Sequence, residues 1–185
     1  MLHLLQPDTN RKYRYAWKDE SFLGFEQRVC SHCGRMISEC RYAGDVRRLV
    51  LECGKTYPDC LAFTGAGERL FLLSERAVRI FEDCGITGFS GKREVLVLDG
   101  PKYFAMDICG SVELDFAAMH LKKKMLCPEC GQFRWNRQRL EPVILDESTW
   151  DGADICRIKS MPGFCACTQQ FADMVKKYKL TGFLL

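Results

Sequence analysis

Ser74-Glu75-Arg76-Ala77-Val78-Arg79-Ile80-Phe81-Glu82-Asp83-Cys84-Gly85-Ile86-Thr87-Gly88-Phe89 can be laid over Thr168-Gln169-Gln170-Phe171-Ala172-Asp173-Met174-Val175-Lys176-Lys177-Tyr178-Lys179-Leu180-Thr181-Gly182-Phe183. Both segments open on a hydroxyl residue suited to capping a helix N-terminus. Apolar residues follow at helical spacing: Ala77, Ile80, Phe81 and Cys84 in the first, Phe171, Met174, Val175 and Tyr178 in the second. Both close on an apolar residue followed by Thr-Gly-Phe. A short apolar run precedes each, Leu70 to Leu73 and Phe164 to Cys167, and reads as a strand. The pattern therefore predicts strand, helix, strand twice over. Gly85 is expected to be the left-handed residue that ends the first helix, and the exit strand to continue through Val95-Leu96-Val97-Leu98.

Working outward, each of these units has a Cys-x-x-Cys-Gly turn upstream of it: Cys30-Ser31-His32-Cys33-Gly34 and Cys127-Pro128-Glu129-Cys130-Gly131. Cys30 and Cys127 are 97 residues apart, and the helix starts Ser74 and Thr168 are 94 apart. The expected fold is α+β. It has two pseudo-repeated halves, about 1–100 and 101–185, in a single compact domain, and each half is a knuckle plus strand-helix-strand. Residues 11–29 and 46–52 suggest strands, and 133–145 a strand or extended segment.

Two residues between cysteines let both sulfurs of a tight turn face one ion, and the following glycine permits the positive φ that the turn needs. Cys30, Cys33, Cys127 and Cys130 are thus the predicted ligands of one structural zinc stapling the halves together. Four thiolates would leave no position for water or substrate. A redox dithiol also uses Cys-x-x-Cys, but a second copy and the glycine favour metal. An iron–sulfur cluster could use the same thiolates. Separate sites recruiting Cys53, Cys60 or Cys156, and His32 as a ligand, are further alternatives.

The chain has 185 residues, 47% hydrophobic and 28% charged, with a net charge of +3 that neither demands nor excludes nucleic acid. No stretch is apolar enough to span a bilayer, and Met1-Leu2-His3-Leu4-Leu5-Gln6-Pro7 lacks the marks of a secretion signal, so a cytoplasmic location is expected. In a reducing compartment the eight cysteines outside the knuckles are expected to act mostly as small buried hydrophobes. Three histidines form no catalytic signature, Gly65-Ala66-Gly67 lacks the context of a phosphate loop, and no enzymatic activity is predicted. The acids Asp146, Glu147, Asp151 and Asp154 read as an exposed loop around Trp150. Lys122-Lys123-Lys124 and Arg134-Trp135-Asn136-Arg137-Gln138-Arg139 flank the second knuckle. Basic residues interleaved with an aromatic there give the alternative expectation of a zinc-knuckle nucleic-acid-binding module.

With both knuckles, their wide separation, and the block from Trp150-Asp151-Gly152-Ala153-Asp154-Ile155 through Pro162-Gly163 to Leu180-Thr181-Gly182-Phe183, the chain resembles the bacterial double-CXXCG motif family. Members of that family have been assigned as immunity proteins against polymorphic toxins delivered by sibling cells. The resemblance implies a cytoplasmic protein that binds and neutralises a cognate toxin domain, with the four knuckle cysteines as metal ligands. It carries over no toxin-contacting residue, no membrane partner and no oligomeric state.

Overall fold

The computed structural model describes residues 1–8, 12–13, 15–17, 25–34, 36–40, 51–52, 54–64, 70–95, 97, 100–121, 126–131, 142–161 and 164–185. Lys122–Lys124, Arg134–Arg139, Gly65-Ala66-Gly67, Cys53, Leu96, Leu98, residues 46–50 and Pro162-Gly163 lie outside them, as does 133–141 of the predicted extended segment. The fold is mixed α+β. In the first half of the chain run β1 (Leu2–Pro7), β2 (Tyr15–Trp17), β3 (Phe25–Val29), β4 (Met36–Cys40), β5 (Leu51–Glu52), β6 (Cys60–Thr64), β7 (Leu70–Ser74), α1 (Glu75–Asp83) and β8 (Phe89–Val95). The second half carries β9 (Tyr103–Ile108), β10 (Gly110–Leu114), β11 (Leu145–Asp146), β12 (Ile155–Ile158), β13 (Cys165–Thr168), α2 (Gln169–Lys177) and β14 (Phe183–Leu184). Among the described residues no helix is long and apolar enough to cross a membrane.

Among the described residues two six-stranded sheets result, ordered β5-β2-β6-β7-β9-β8 and β11-β10-β12-β13-β1-β14, with β3 and β4 forming a separate hairpin. Strand for strand, the sheets agree in direction. β2/β6 and β10/β12 are the parallel pairs, and the other neighbours are antiparallel. The place that β9 fills in the first sheet is filled in the second by β1, from the opposite end of the chain. Leu2 pairs with Thr168 and Leu5 with Cys165, as Tyr103 pairs with Ser74 and Met106 with Phe71. Each sheet is therefore completed by a strand that the sequence places in the other half.

The helices start where the hydroxyl residues stand. The Ala77 N–H donates to Ser74 Oγ at 3.1 Å and the Phe171 N–H to Thr168 Oγ1 at 3.2 Å. They end alike, with Ile86 N–H bonded to Phe81 O and Leu180 N–H to Val175 O, through left-handed Gly85 (φ 66°) and Lys179 (φ 50°). The buried helix faces shift relative to the predicted spacing: Val78 and Ala172 are buried as well, while Ile80, Cys84 and Tyr178 are only partly buried.

One shared core takes residues from both sheets and both helices, including Leu5, Phe71, Phe81, Met106, Ile155, Phe171 and Val175. Phe81 meets Phe171 edge-on, with centroids 5.4 Å apart. Ala77 and Phe171 occupy equivalent helix positions, as do Phe81 and Val175, so a large residue on one helix answers a small one on the other. A second core lies around Val112, Leu114, Cys156, Ile158 and Met161, with Trp150 packed at its margin.

Candidate metal centre

Cys30 follows directly on β3, and the first knuckle is the turn of the β3–β4 hairpin, whose register runs from Phe25↔Cys40 to Val29↔Met36. In each knuckle the glycine N–H closes the turn on the carbonyl of the first cysteine, at 2.9 Å for Gly34 to Cys30 and 2.8 Å for Gly131 to Cys127. Both glycines have φ 68°, and nothing stands within 4 Å of where a Cβ would be. The glycine is needed for the sign of φ alone, not for space.

The structure brings all four predicted residues together. Their sulfurs lie within 4.8 Å of one another, though the two knuckles are nearly a hundred residues apart in the chain. Cys30 Sγ stands 3.7 Å from Cys127 Sγ, and Cys33 Sγ 3.7 Å from Cys130 Sγ. These separations are far beyond the roughly 2.05 Å of a disulfide, and all four thiols are free. A tetrahedral ion with metal–sulfur bonds of about 2.3 Å has a sulfur–sulfur edge of about 3.8 Å. The two separations across the knuckles match that edge, and the remaining ones are within 4.8 Å. Cys30 and Cys127 are each 1% exposed, whereas Cys33 and Cys130 are half-buried, so one pair faces the interior and the other the surface.

The two inner thiols differ in their electrostatics. Cys127 is pulled down to about 6, first by the Cys130 backbone N–H, whereas burial pushes its twin Cys30 up. Thiols this close cannot all ionise beside one another without a positive charge among them. Their arrangement can hold one metal ion in a closed, all-sulfur shell.

The other cysteines behave differently. Cys60, Cys156, Cys165 and Cys167 are buried in the two cores, and burial pushes Cys156 and Cys167 up to about 12. Burial also pushes Cys60 up, and all four act as small apolar groups. Cys84 is only half-buried and Cys109 is exposed, so burial does not extend to every cysteine outside the knuckles. Among the described residues the knuckle cysteines are the one group of this kind, and neither Cys60 nor Cys156 joins a second.

The acidic loop has structural employment that the sequence did not disclose. Asp146 Oδ1 accepts from the Ser148 N–H and hydroxyl, and Asp151 Oδ2 accepts from the Ser111 N–H at 2.8 Å. Asp154 accepts from Thr87 and Thr168, and Glu147 from the Leu2 N–H. The Trp150 indole N–H donates to Ala153 O. Sequence reasoning passed over Glu129, whose Oε2 accepts from the Ser31 hydroxyl at 2.6 Å and the His32 N–H at 3.0 Å, joining the knuckles directly. Its charge at an x position of the second knuckle, opposite the Ser-His of the first, was the available signal.

No protein-family model matches the chain, and no curated protein matches its sequence.

Proposed function

We propose that the chain is a zinc-stapled immunity-type protein built from two duplicated halves, which binds and neutralises a cognate bacterial toxin domain in the cytoplasm. The observation that carries the zinc part is the pair of 3.7 Å sulfur–sulfur separations across the two knuckles. A shared edge near 3.8 Å suits a single tetrahedral ion, and four thiolates saturate it. Such an ion stabilises the fold and leaves no position for hydrolysis. Cys30, Cys33, Cys127 and Cys130 would hold it, one pair from each half. The matching strand order and matching helix caps of the two sheets support duplication.

Toxin binding rests on the motif resemblance. A rigid, metal-pinned double sheet suits a protein whose task is to present a preformed surface, since preorganisation lowers the entropy cost of association.

Two measurements test the proposal. Elemental analysis of the purified chain should find one zinc per molecule; metal-free folded protein would remove the staple. Co-expression with the C-terminal domain of a secreted toxin encoded beside this gene should rescue growth and yield a stable complex. Cell death with no complex, together with a salt-sensitive shift of labelled DNA or RNA, would replace the immunity reading by the nucleic-acid one.

A further inference from the structure

The two knuckles are twins in backbone but not in the residues between their cysteines. Ser31-His32 in the first corresponds to Pro128-Glu129 in the second. Where the twins meet, Glu129 of the second turns toward Ser31 and His32 of the first. The Glu129 carboxylate reaches across and takes both the Ser31 hydroxyl, at 2.6 Å, and the His32 backbone N–H, at 3.0 Å, on the same oxygen. A symmetric pair of glutamates would have set two negative charges against each other beside four thiolates. Pro128 has neither a hydroxyl nor an N–H to answer with.

We infer that Glu129 is a positioning residue for the metal centre, a clasp that holds the first knuckle in register with the second so that the four sulfurs stand at tetrahedral separations. This rests on reading the cysteines as a metal site. Neither Glu129 nor Ser31 is a ligand. The clasp closes from outside the sulfur shell, tying the backbone between Cys30 and Cys33 to the backbone between Cys127 and Cys130. Hydrogen bonds that orient ligands from outside commonly change metal affinity by about 10- to 100-fold. Because Ser31 and Glu129 are exposed, the lower end is expected here. The clasp opposes opening of the two knuckles, so the effect should appear mainly as faster metal release.

The test uses the full chain as wild type, Glu129→Ala, Glu129→Gln and Ser31→Ala. Each is loaded with cobalt(II) and with zinc, and release is timed against an excess of chromophoric chelator. The expected result is an unchanged tetrahedral all-thiolate cobalt spectrum in every variant, with about 10-fold weaker binding and faster release for Glu129→Ala. Glu129→Gln, whose amide oxygen still accepts, should lie between it and wild type. Ser31→Ala should lose less, and a fifth protein carrying both Ser31→Ala and Glu129→Ala should fall short of the sum, because both changes break one contact. Wild-type affinity and release in Glu129→Ala would overturn the clasp while leaving the metal site standing. A wild type that binds no metal, or gives no thiolate spectrum, would overturn the metal reading and the clasp with it. Ser31→Ala keeps the question answerable if Glu129→Ala fails to fold.

Discussion

The junctions at Asp59 and Asp154 are the same knot tied twice. At the first, Asp59 Oδ1 accepts from the Ser74 hydroxyl and Oδ2 from the Thr181 N–H and hydroxyl, while the Asp59 N–H donates to Thr181 Oγ1. At the second, Asp154 Oδ1 accepts from the Thr168 hydroxyl and Oδ2 from the Thr87 N–H and hydroxyl, while the Asp154 N–H donates to Thr87 Oγ1. The main chain follows suit: Ser74 N–H to Asp59 O and Cys60 N–H to Thr181 O, Thr168 N–H to Asp154 O and Ile155 N–H to Thr87 O. Each aspartate thus joins the start of its own half's helix to the Thr-Gly-Phe exit of the other half's helix.

The difference between the knots is charge. Arg76 donates to Asp59 Oδ2 at 2.9 Å and also to the Tyr178 carbonyl at the end of α2. The equivalent helix position in α2 carries Gln170, which is neutral. Asp59 is 7% exposed, whereas Asp154 is half-buried. A carboxylate taken out of water requires a full set of donors or a cation, and the deeper one has both.

The comparison can be broken first at the four-cysteine cluster, the proposed metal site. Replacing Cys127 by Ser should end stoichiometric metal binding. With free zinc about a thousandfold above its Kd, wild type gains about 4 kcal/mol that the variant forgoes. Urea unfolding with and without chelator measures that gap, and equal curves for wild type in both conditions would contradict a structural ion.

Next come the glycines where the halves touch. Gly88 (φ 97°) and Gly182 (φ 85°) lie against the Ile155 and Cys60 carbonyls, and a Cβ at either would run into that oxygen. Gly88→Ala and Gly182→Ala should each cost about 3 kcal/mol, from left-handed strain plus a backbone collision. Similar losses would show that the two crossings are equally tight; a loss under 1 kcal/mol at either would show that its crossing can open.

The aspartates themselves should separate. Asp59→Ala is expected to cost about 3 kcal/mol and Asp154→Ala about 2, since only the first also breaks an ion pair. Arg76 is 53% exposed at its side chain, which limits the difference. The converse change, Gln170→Arg, should add about 0.5 kcal/mol by importing the missing charge. Equal losses for the two aspartates, measured at constant m value, would mean that Arg76 contributes nothing.

The smallest effect is expected at the helix ends. Gly85→Ala should cost about 1 kcal/mol through its positive φ alone, because nothing stands near its Cβ position. Lys179→Gly, relieving φ 50°, should gain a few tenths, as part of the relief is offset by chain entropy and by a lost cation at the helix end. A Lys179→Gly variant less stable than wild type would show that the lysine's charge outweighs its strain.

What could be read from the residues alone was local. Hydroxyl caps, the glycine after a helix, apolar spacing along one face and the cysteine pairs each depend on neighbours within a few positions, so α1, α2, β7, β13 and both Cys-x-x-Cys-Gly turns stand where they were expected. The four cysteines could be grouped across the chain because thiolates at that spacing have few other uses.

Partnership at long range was not legible. Nothing in Leu2–Pro7 announces that it pairs with Cys165–Thr168, because strand pairing satisfies backbone groups that every sequence carries alike. Asp59 gave no sign of its role, and Asp154 passed for one acid among four. A carboxylate's meaning depends on which donors the fold brings to it. Residue chemistry by itself determined which groups could cap, turn or bind metal. Only the tertiary structure decided which strand closes which sheet, and which aspartate braces which helix.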